Sequence, residues 1–297
     1  MNNSVSLRNF WPDNDITKFF LIDLIQNIPR SRKKVVITSV FIRRTIISKM
    51  INHVFIRFKK RISITRYQKV FFNLNRPVKK NDELNVWYTG ENARPPLDSD
   101  WDAILSFETD NYIPRNIYLP FWATRFGKSV KEAKEIQLNF TRYREVSINK
   151  SNFACAIISN PQPTRMLAID EISKIGTVDL FGSVFKNKIE SKKDILKKYN
   201  FNICFENDLY PGYVTEKIFD AWREFAIPIW WGIDSAGYIN QKALINFADL
   251  GFSEGLRRIK FLLDNPNEIK KMQQMPILKK DFDYDELVRD LTKLLSK

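Results

Sequence analysis

The feature that most constrains this chain is a regular change of apolar period after Lys150. The runs "FACAIIS", "TVDLFGS", "FNICFEN" and "IPIWWG" are short and continuous, as buried strands are. Between them "PTRMLAIDEISKI", "SKKDILKKY" and "VTEKIFDAWREF" space their apolar residues by three and four, as helices do, and "SEGLRRIKFLLDN" follows the last strand. Strands alternating with helices predict a parallel sheet covered on both faces. Ligands of such sheets gather at the carboxyl ends of the strands. Four polar clusters fall there: Ser159-Asn160-Pro161, Gly182-Ser183, Glu206-Asn207 and Gly232-Ile233-Asp234.

Before Lys150 the pattern is looser. "ITKFFLIDLIQNI" has helical spacing, and "KKVVITSVFI", "LNVWYTG", "WDAILSF" and "NIYLPFW" look like short strands. The 297 residues suffice for two domains with separate cores. The expected division is a first domain over residues 1–150 and a second over 151–283. A short amphipathic helix over residues 284–297 is placed to pack back on the first.

Several function classes drop out on composition. No GxGxxG or P-loop is present, so this is not an ordinary dinucleotide or ATP site. The single histidine, His53, rules out a zinc site of several histidines and a histidine-based triad, so a general base must be a carboxylate, tyrosine or lysine. Cys155 and Cys204 sit in apolar runs and read as buried reduced thiols of a reducing compartment. The first residues do not resemble a signal peptide, and no window has the roughly 20 apolar residues of a spanning helix. The expectation is a cytoplasmic protein, soluble or peripheral to the inner face of a membrane.

The net charge of +14 is concentrated: residues 24–81 hold 16 Lys/Arg and no Asp or Glu. One reading is a surface for anionic lipid or nucleic acid; the other is a solvated basic face over an apolar interior. Three Asp-x-Asp triplets, beginning at Asp13, Asp98 and Asp281, invite a metal reading. None ends a strand of the second domain, and all three read as structural.

The richest segment is "NICFENDLYPGYVTEKIFDAWREFAIPIWWG", residues 202–232. Tyr213 through Lys217 would open a helix, where unpaired backbone N–H groups and the helix dipole favour an anion. Lys217 adds a positive charge there, and Arg165, at the start of the helix after the first strand, adds a planar donor fork suited to phosphate. Together they would form a cradle shared by two βα turns.

This segment resembles the donor-site motif of the α1,3/4-fucosyltransferases, glycosyltransferase family 10, whose core is FEN, a spacer, then Y-(V/I)-T-E-K. "YTGENARPPLDSDWDAILSFE" resembles the family's acceptor-domain motif, "CAIISNPQPTR" the segment whose arginine faces the nucleotide diphosphate, and "SLRNFWPDNDITKFF" the first strand and helix. The resemblance implies an α/β fold of two Rossmann-like domains facing across a cleft, the GT-B arrangement. It implies inverting transfer of L-fucose from GDP-β-L-fucose to GlcNAc (or Glc), giving an α1,3 or α1,4 fucoside on a surface glycan such as lipopolysaccharide. Glu91 in "TGEN" matches the catalytic base, with a turn-capping glutamate as the plainer alternative. Glu216 would contact fucose or steady charge at C1. Ser159, Asn160, Arg165, Asn207, Tyr213, Thr215, Glu216 and Lys217 would bind the donor. No cofactor and no metal is required, with Mn²⁺ at most stimulating. The partners implied are GDP-fucose and a glycan acceptor, lipid-linked if the basic block docks on membrane, and no nucleic acid. Departures occur at Asn200, where many members have lysine, and at Phe225-Ala226, where they have a small pair. The alternatives are a GT-B transferase using another GDP-sugar and a basic nucleic-acid-binding protein.

Overall fold

The computed structural model describes residues 5–8, 16–28, 34–39, 83–95, 101–109, 112–146 and 150–296. Most of the basic block over residues 24–81 lies outside these, as do His53 and the triplets beginning at Asp13 and Asp98. Two compact units are present: Met1–Ser106 with Asp110–Leu119 and Asp285–Lys297, and Phe107–Thr109 with Pro120–Tyr284.

In the first unit, β1 (Val5–Arg8), β2 (Lys34–Ser39), β3 (Glu83–Tyr88), β4 (Ala103–Ser106) and β5 (Asn116–Tyr118) form one sheet in sequence order. Every pairing is parallel. Helix α1 (Ile16–Gln26) buries Phe20, Leu21, Leu24 and Ile25, the three- and four-residue spacing read from the sequence. β3 is buried along its whole length, which explains its lack of alternation.

The second unit holds β6 (Asn152–Ile157), β7 (Val178–Phe181), β8 (Tyr199–Ile203), β9 (Ile227–Trp230) and β10 (Ile245–Asn246). Their order is β10-β9-β8-β6-β7, again all parallel. The chain therefore winds outward from β6 to β7, then crosses back to β8 and winds the other way. The reversal makes a topological switch point between β6 and β8, where the two carboxyl ends open a crevice. Ala154, Ala156, Phe201, Ile203, Ile227 and Ile229 build its core with Ala168, Ile169 and Ile172 of the helix Pro163–Ser173. At the end of β7, Gly182 has φ +108°, and a Cβ there would stand 2.2 Å from the carbonyl oxygen of Ile158. Only glycine lets β7 end this close to β6.

The expected boundary at residue 150 is displaced to Leu119/Pro120. The cause is aromatic packing. Helix α2 (Val130–Gln137), capped by Ser129, leads to Phe140, whose ring stacks on Phe126 at 4.5 Å and meets Phe219 edge-on at 5.3 Å. Trp122 adds a tilted contact to Phe219 at 5.3 Å. Gln137 exchanges two hydrogen bonds with the backbone of Phe282. These contacts tie residues 120–146 to the second unit, although their sequence precedes its first strand.

The departure at Phe225 has a physical counterpart. Phe225 has φ +59°, a left-handed conformation that costs a non-glycine residue about 1–2 kcal/mol. Arg144 offsets this, its guanidinium lying 3.6 Å from the Trp222 ring centroid and 3.9 Å from that of Phe225. The other departure, Asn200, donates its amide to the carbonyls of Lys150 and Asn152, a structural use.

Phe140 gives the test of this boundary. Phe140→Ala should destabilise the second unit by about 3–5 kcal/mol. Chemical denaturation followed through that unit's tryptophans measures it. A variant within about 0.5 kcal/mol of the parent would return residues 120–146 to the first unit.

Candidate functional site

The crevice at the switch point is a cavity of about 260 Å³. The end of β6 contributes Ser159 and Asn160, and α3 (Pro163–Ser173) contributes Arg165. The end of β8 contributes Asn202, Cys204 and Asn207, and α5 (Lys217–Arg223) with its N-cap contributes Glu216, Lys217 and Asp220. Lys192, the first residue of α4 (Lys192–Leu196), completes the polar lining.

Arg165 is 5% exposed. Its Nε and Nη2 donate to the carbonyl of Phe205 at 2.9 and 2.5 Å, and Nη1 donates to the carbonyl of Asn160 at 3.1 Å. The fork thus braces the ends of β8 and β6 and fixes its own plane against the cavity. Burial lowers the guanidinium's pKa, with Glu206 and Tyr213 opposing the shift, yet an arginine remains charged.

Lys217 is not the lone charge expected from sequence. Its Nζ donates to Glu206 Oε2 at 2.8 Å and to Thr215 Oγ1 at 2.7 Å. The Glu206 side chain is 0% exposed and that of Lys217 25%. Glu206 Oε1 also accepts from the Thr215 N–H at 2.9 Å and from Trp230 Nε1 at 3.3 Å. The backbone anion seat expected over Tyr213 to Lys217 is therefore filled, at Thr215, by the protein's own carboxylate. The helix begins only at Lys217, with Glu216 as N-cap.

Burial drives the Lys217 ammonium down, but Glu206 and Glu216 overcome it and hold its pKa above the usual lysine value. Burial likewise pushes Glu216 up, and Lys217 and Lys192 outweigh it, so its carboxyl titrates below the usual range. Both groups are charged at neutral pH. Asp220 lies one helical turn beyond Glu216, 3.4 Å from Lys192 Nζ, and burial leaves its pKa raised.

Of the residues read from sequence, Ser159, Asn160, Arg165, Asn207, Glu216 and Lys217 share this cavity. Thr215 and Tyr213 do not line it. The Thr215 hydroxyl is spent on Glu206 and Lys217. Tyr213 is buried with its ring 5.6 Å from that of Phe107. Glu91 belongs to the first unit, in a turn just past β3. There the Thr89 hydroxyl donates to the Glu91 carbonyl, which also accepts the Ala93 N–H. Its backbone is pinned and its side chain half-buried.

Sequence reading missed Lys192 and Asp220, and gave Glu206 no role. Asp220 was legible, because Glu216 and Asp220 are spaced i,i+4 and must share a helix face. Cys204 lines the cavity, but burial, reinforced by Glu206, pushes its thiol well above the ordinary value. Burial pushes Cys155 up to about 12, so neither offers a thiolate. The triplet at Asp281 surrounds Phe282, a buried ring packed on Tyr284 at 4.9 Å. Among the described residues no helix is long and apolar enough to cross a membrane.

Residues 147–272 match Glycosyltransferase family 10 (fucosyltransferase) C-term. The chain is 29% identical over 214 residues to Alpha-(1,3)-fucosyltransferase FucT of Helicobacter pylori, covering 61% of this chain and 45% of that protein. It is 28% identical over 96 residues to 4-galactosyl-N-acetylglucosaminide 3-alpha-L-fucosyltransferase 9 of Bos taurus, covering 31% of this chain and 27% of that one. Its matches thus span less than half the length of these curated relatives. Its fold matches the crystal structure of an alpha1,3-fucosyltransferase with GDP-fucose, with a TM-score of 0.67 at 21% identity over 100% of this chain and 91% of that one. The matched residues run from just before β6 to the second-last helix of the chain and contain every wall of the cavity, so the similarity to glycosyltransferase family 10 falls on the site itself.

Proposed function

We propose that the chain transfers L-fucose from GDP-β-L-fucose to a hydroxyl of GlcNAc (or Glc) in a glycan, forming an α1,3 or α1,4 fucoside with inversion. The observation that carries this is the convergence of Arg165, Asn207, Glu216 and Lys217 on one cavity at the β6/β8 switch point, inside the family match. The fucosyltransferase relatives support the activity, and the GDP-fucose in the matching crystal structure supports the donor.

In this reading Arg165 and Lys217 neutralise the diphosphate. Ser159, Asn160 and Asn207 hold ribose or sugar hydroxyls, and the Glu216 carboxylate faces positive charge developing at fucose C1. Tyr213 and Thr215 act by holding the wall. The acceptor oxygen bonds to C1, the C1–O bond to phosphate breaks with its electron pair leaving on GDP, and Glu91 takes the acceptor proton. Because two cations stabilise the leaving group, the reaction does not depend on metal, and turnover survives exhaustive chelation.

The test is GDP-fucose turnover against a panel of GlcNAc- and Glc-terminated glycans. Wild type releases GDP and forms a fucoside. Glu91→Gln keeps shape but cannot accept a proton, so kcat falls about 10²–10⁴-fold while donor affinity holds. If Glu91→Gln retained most of its kcat, the base would be Glu108, whose carboxylate accepts from the Tyr210 hydroxyl at 2.9 Å. Asp102, which accepts the Asn85 N–H at 2.7 Å, is the other carboxylate to test.

The basic block over residues 24–81 supports a second part of the proposal, docking on the anionic inner face of a membrane that presents lipid-linked acceptors. Each basic residue near such a surface contributes about 1 kcal/mol. The protein should pellet with anionic vesicles at low salt and release at high salt. Equal pelleting with neutral vesicles would leave the block as a solvated face.

A further inference from the structure

Glu206 makes more contacts than any role in donor binding assigns to it. Its carboxylate receives four donors: the Thr215 N–H, the Thr215 hydroxyl at 2.8 Å from Oε2, Trp230 Nε1 and Lys217 Nζ. Four donors fill the acceptor capacity of a carboxylate. On the other side, Lys217 spends two of its three N–H bonds on Glu206 and Thr215 while lining the cavity. The third is available to a ligand there. Thr215 links the pair, because its single hydroxyl hydrogen goes to Glu206 and its lone pair accepts from Lys217.

We infer that Glu206 is a positioning residue: through Thr215 it aims the Lys217 ammonium at the cavity, without touching the ligand itself. This rests on the donor-site reading above. The groups facing Lys217 are Glu206, Glu216, Arg165 and the Cys204 thiol. Burial and Arg165 disfavour the ammonium, and Glu206 is the largest opposing influence. A phosphate ligand cannot serve in its place, because the cation must be set before the ligand arrives for the site to be preorganised. The arrangement also explains how a sparsely exposed lysine can sit beside a buried arginine without mutual repulsion driving it out.

The test is a double-mutant cycle read by calorimetric GDP binding, with acetylation of Lys217 by acetic anhydride at mildly alkaline pH as a second readout needing no ligand. Glu206→Gln preserves shape but turns an amide N–H₂ or a weaker acceptor toward Lys217. GDP affinity should fall about tenfold to a hundredfold, the loss of one charge-assisted hydrogen bond. In a Lys217→Ala background the same change should cost less than about twofold, because its route of action is gone. Wild-type Lys217 should resist acetylation and become reactive in Glu206→Gln. An equal cost in both backgrounds, or unchanged Lys217 reactivity, would overturn the inference and leave Glu206 a fold residue. If wild type bound no GDP yet Lys217 became reactive in Glu206→Gln, the donor reading would fail and the positioning role would stand. Should Glu206→Gln not fold, Thr215→Val against Thr215→Ser makes the same test: serine keeps the link and its GDP affinity, valine loses both. Equal affinity in the two would refute it.

Discussion

The crevice at the β6/β8 switch point depends on one buried carboxylate. Glu206 sits at the end of β8 with no exposed side-chain surface and holds the following loop by Thr215, the next strand by Trp230 and the next helix by Lys217. A charge at such a depth is tolerable only when fully paired. Satisfying it draws three segments of chain together, and the crevice at the switch point is what they enclose. Arg165 performs a similar service from α3, spending three donors on backbone carbonyls. The two cations of the site are thus fixed by the protein before any ligand enters.

This changes the electrostatic picture of a phosphate cradle. A helix start with open N–H groups and an unpaired lysine would be a strongly positive seat. Here Glu206 takes the Thr215 N–H and offsets Lys217, while Glu216 and Asp220 add negative charge against Lys192. The site is close to balanced, which suits the proposed reaction, in which a diphosphate would be released as well as bound. Specificity then comes from geometry, a planar fork and one aimed ammonium, more than from net charge.

Much of this was legible in the sequence for a physical reason. Strands buried on both faces write themselves as continuous apolar runs, so β6, β8 and β9 stand out, and their polar ends mark the site by the topology of parallel sheets. What was not legible depends on contacts between distant residues. Lys217 looked unpaired because Glu206 lies eleven residues earlier and meets it only once the loop is folded. Tyr213 looked like a ligand contact because its cover, Phe107, comes from a segment about a hundred residues away. The unit boundary was misplaced because Phe126 and Phe140 find Phe219 across the chain. The residues 24–81, with no acidic residue to punctuate them, remain a statement about charge.

The central claim is that the diphosphate of the donor lies at the β6/β8 switch point between a braced arginine and an aimed lysine. A crystal structure of the protein with GDP tests it most directly. The account predicts phosphate oxygens within about 3.2 Å of Arg165 and Lys217, with the Glu206–Lys217 contact kept. GDP seated instead in the cavity of about 390 Å³ beside Lys242, Arg258 and Lys271 would contradict it.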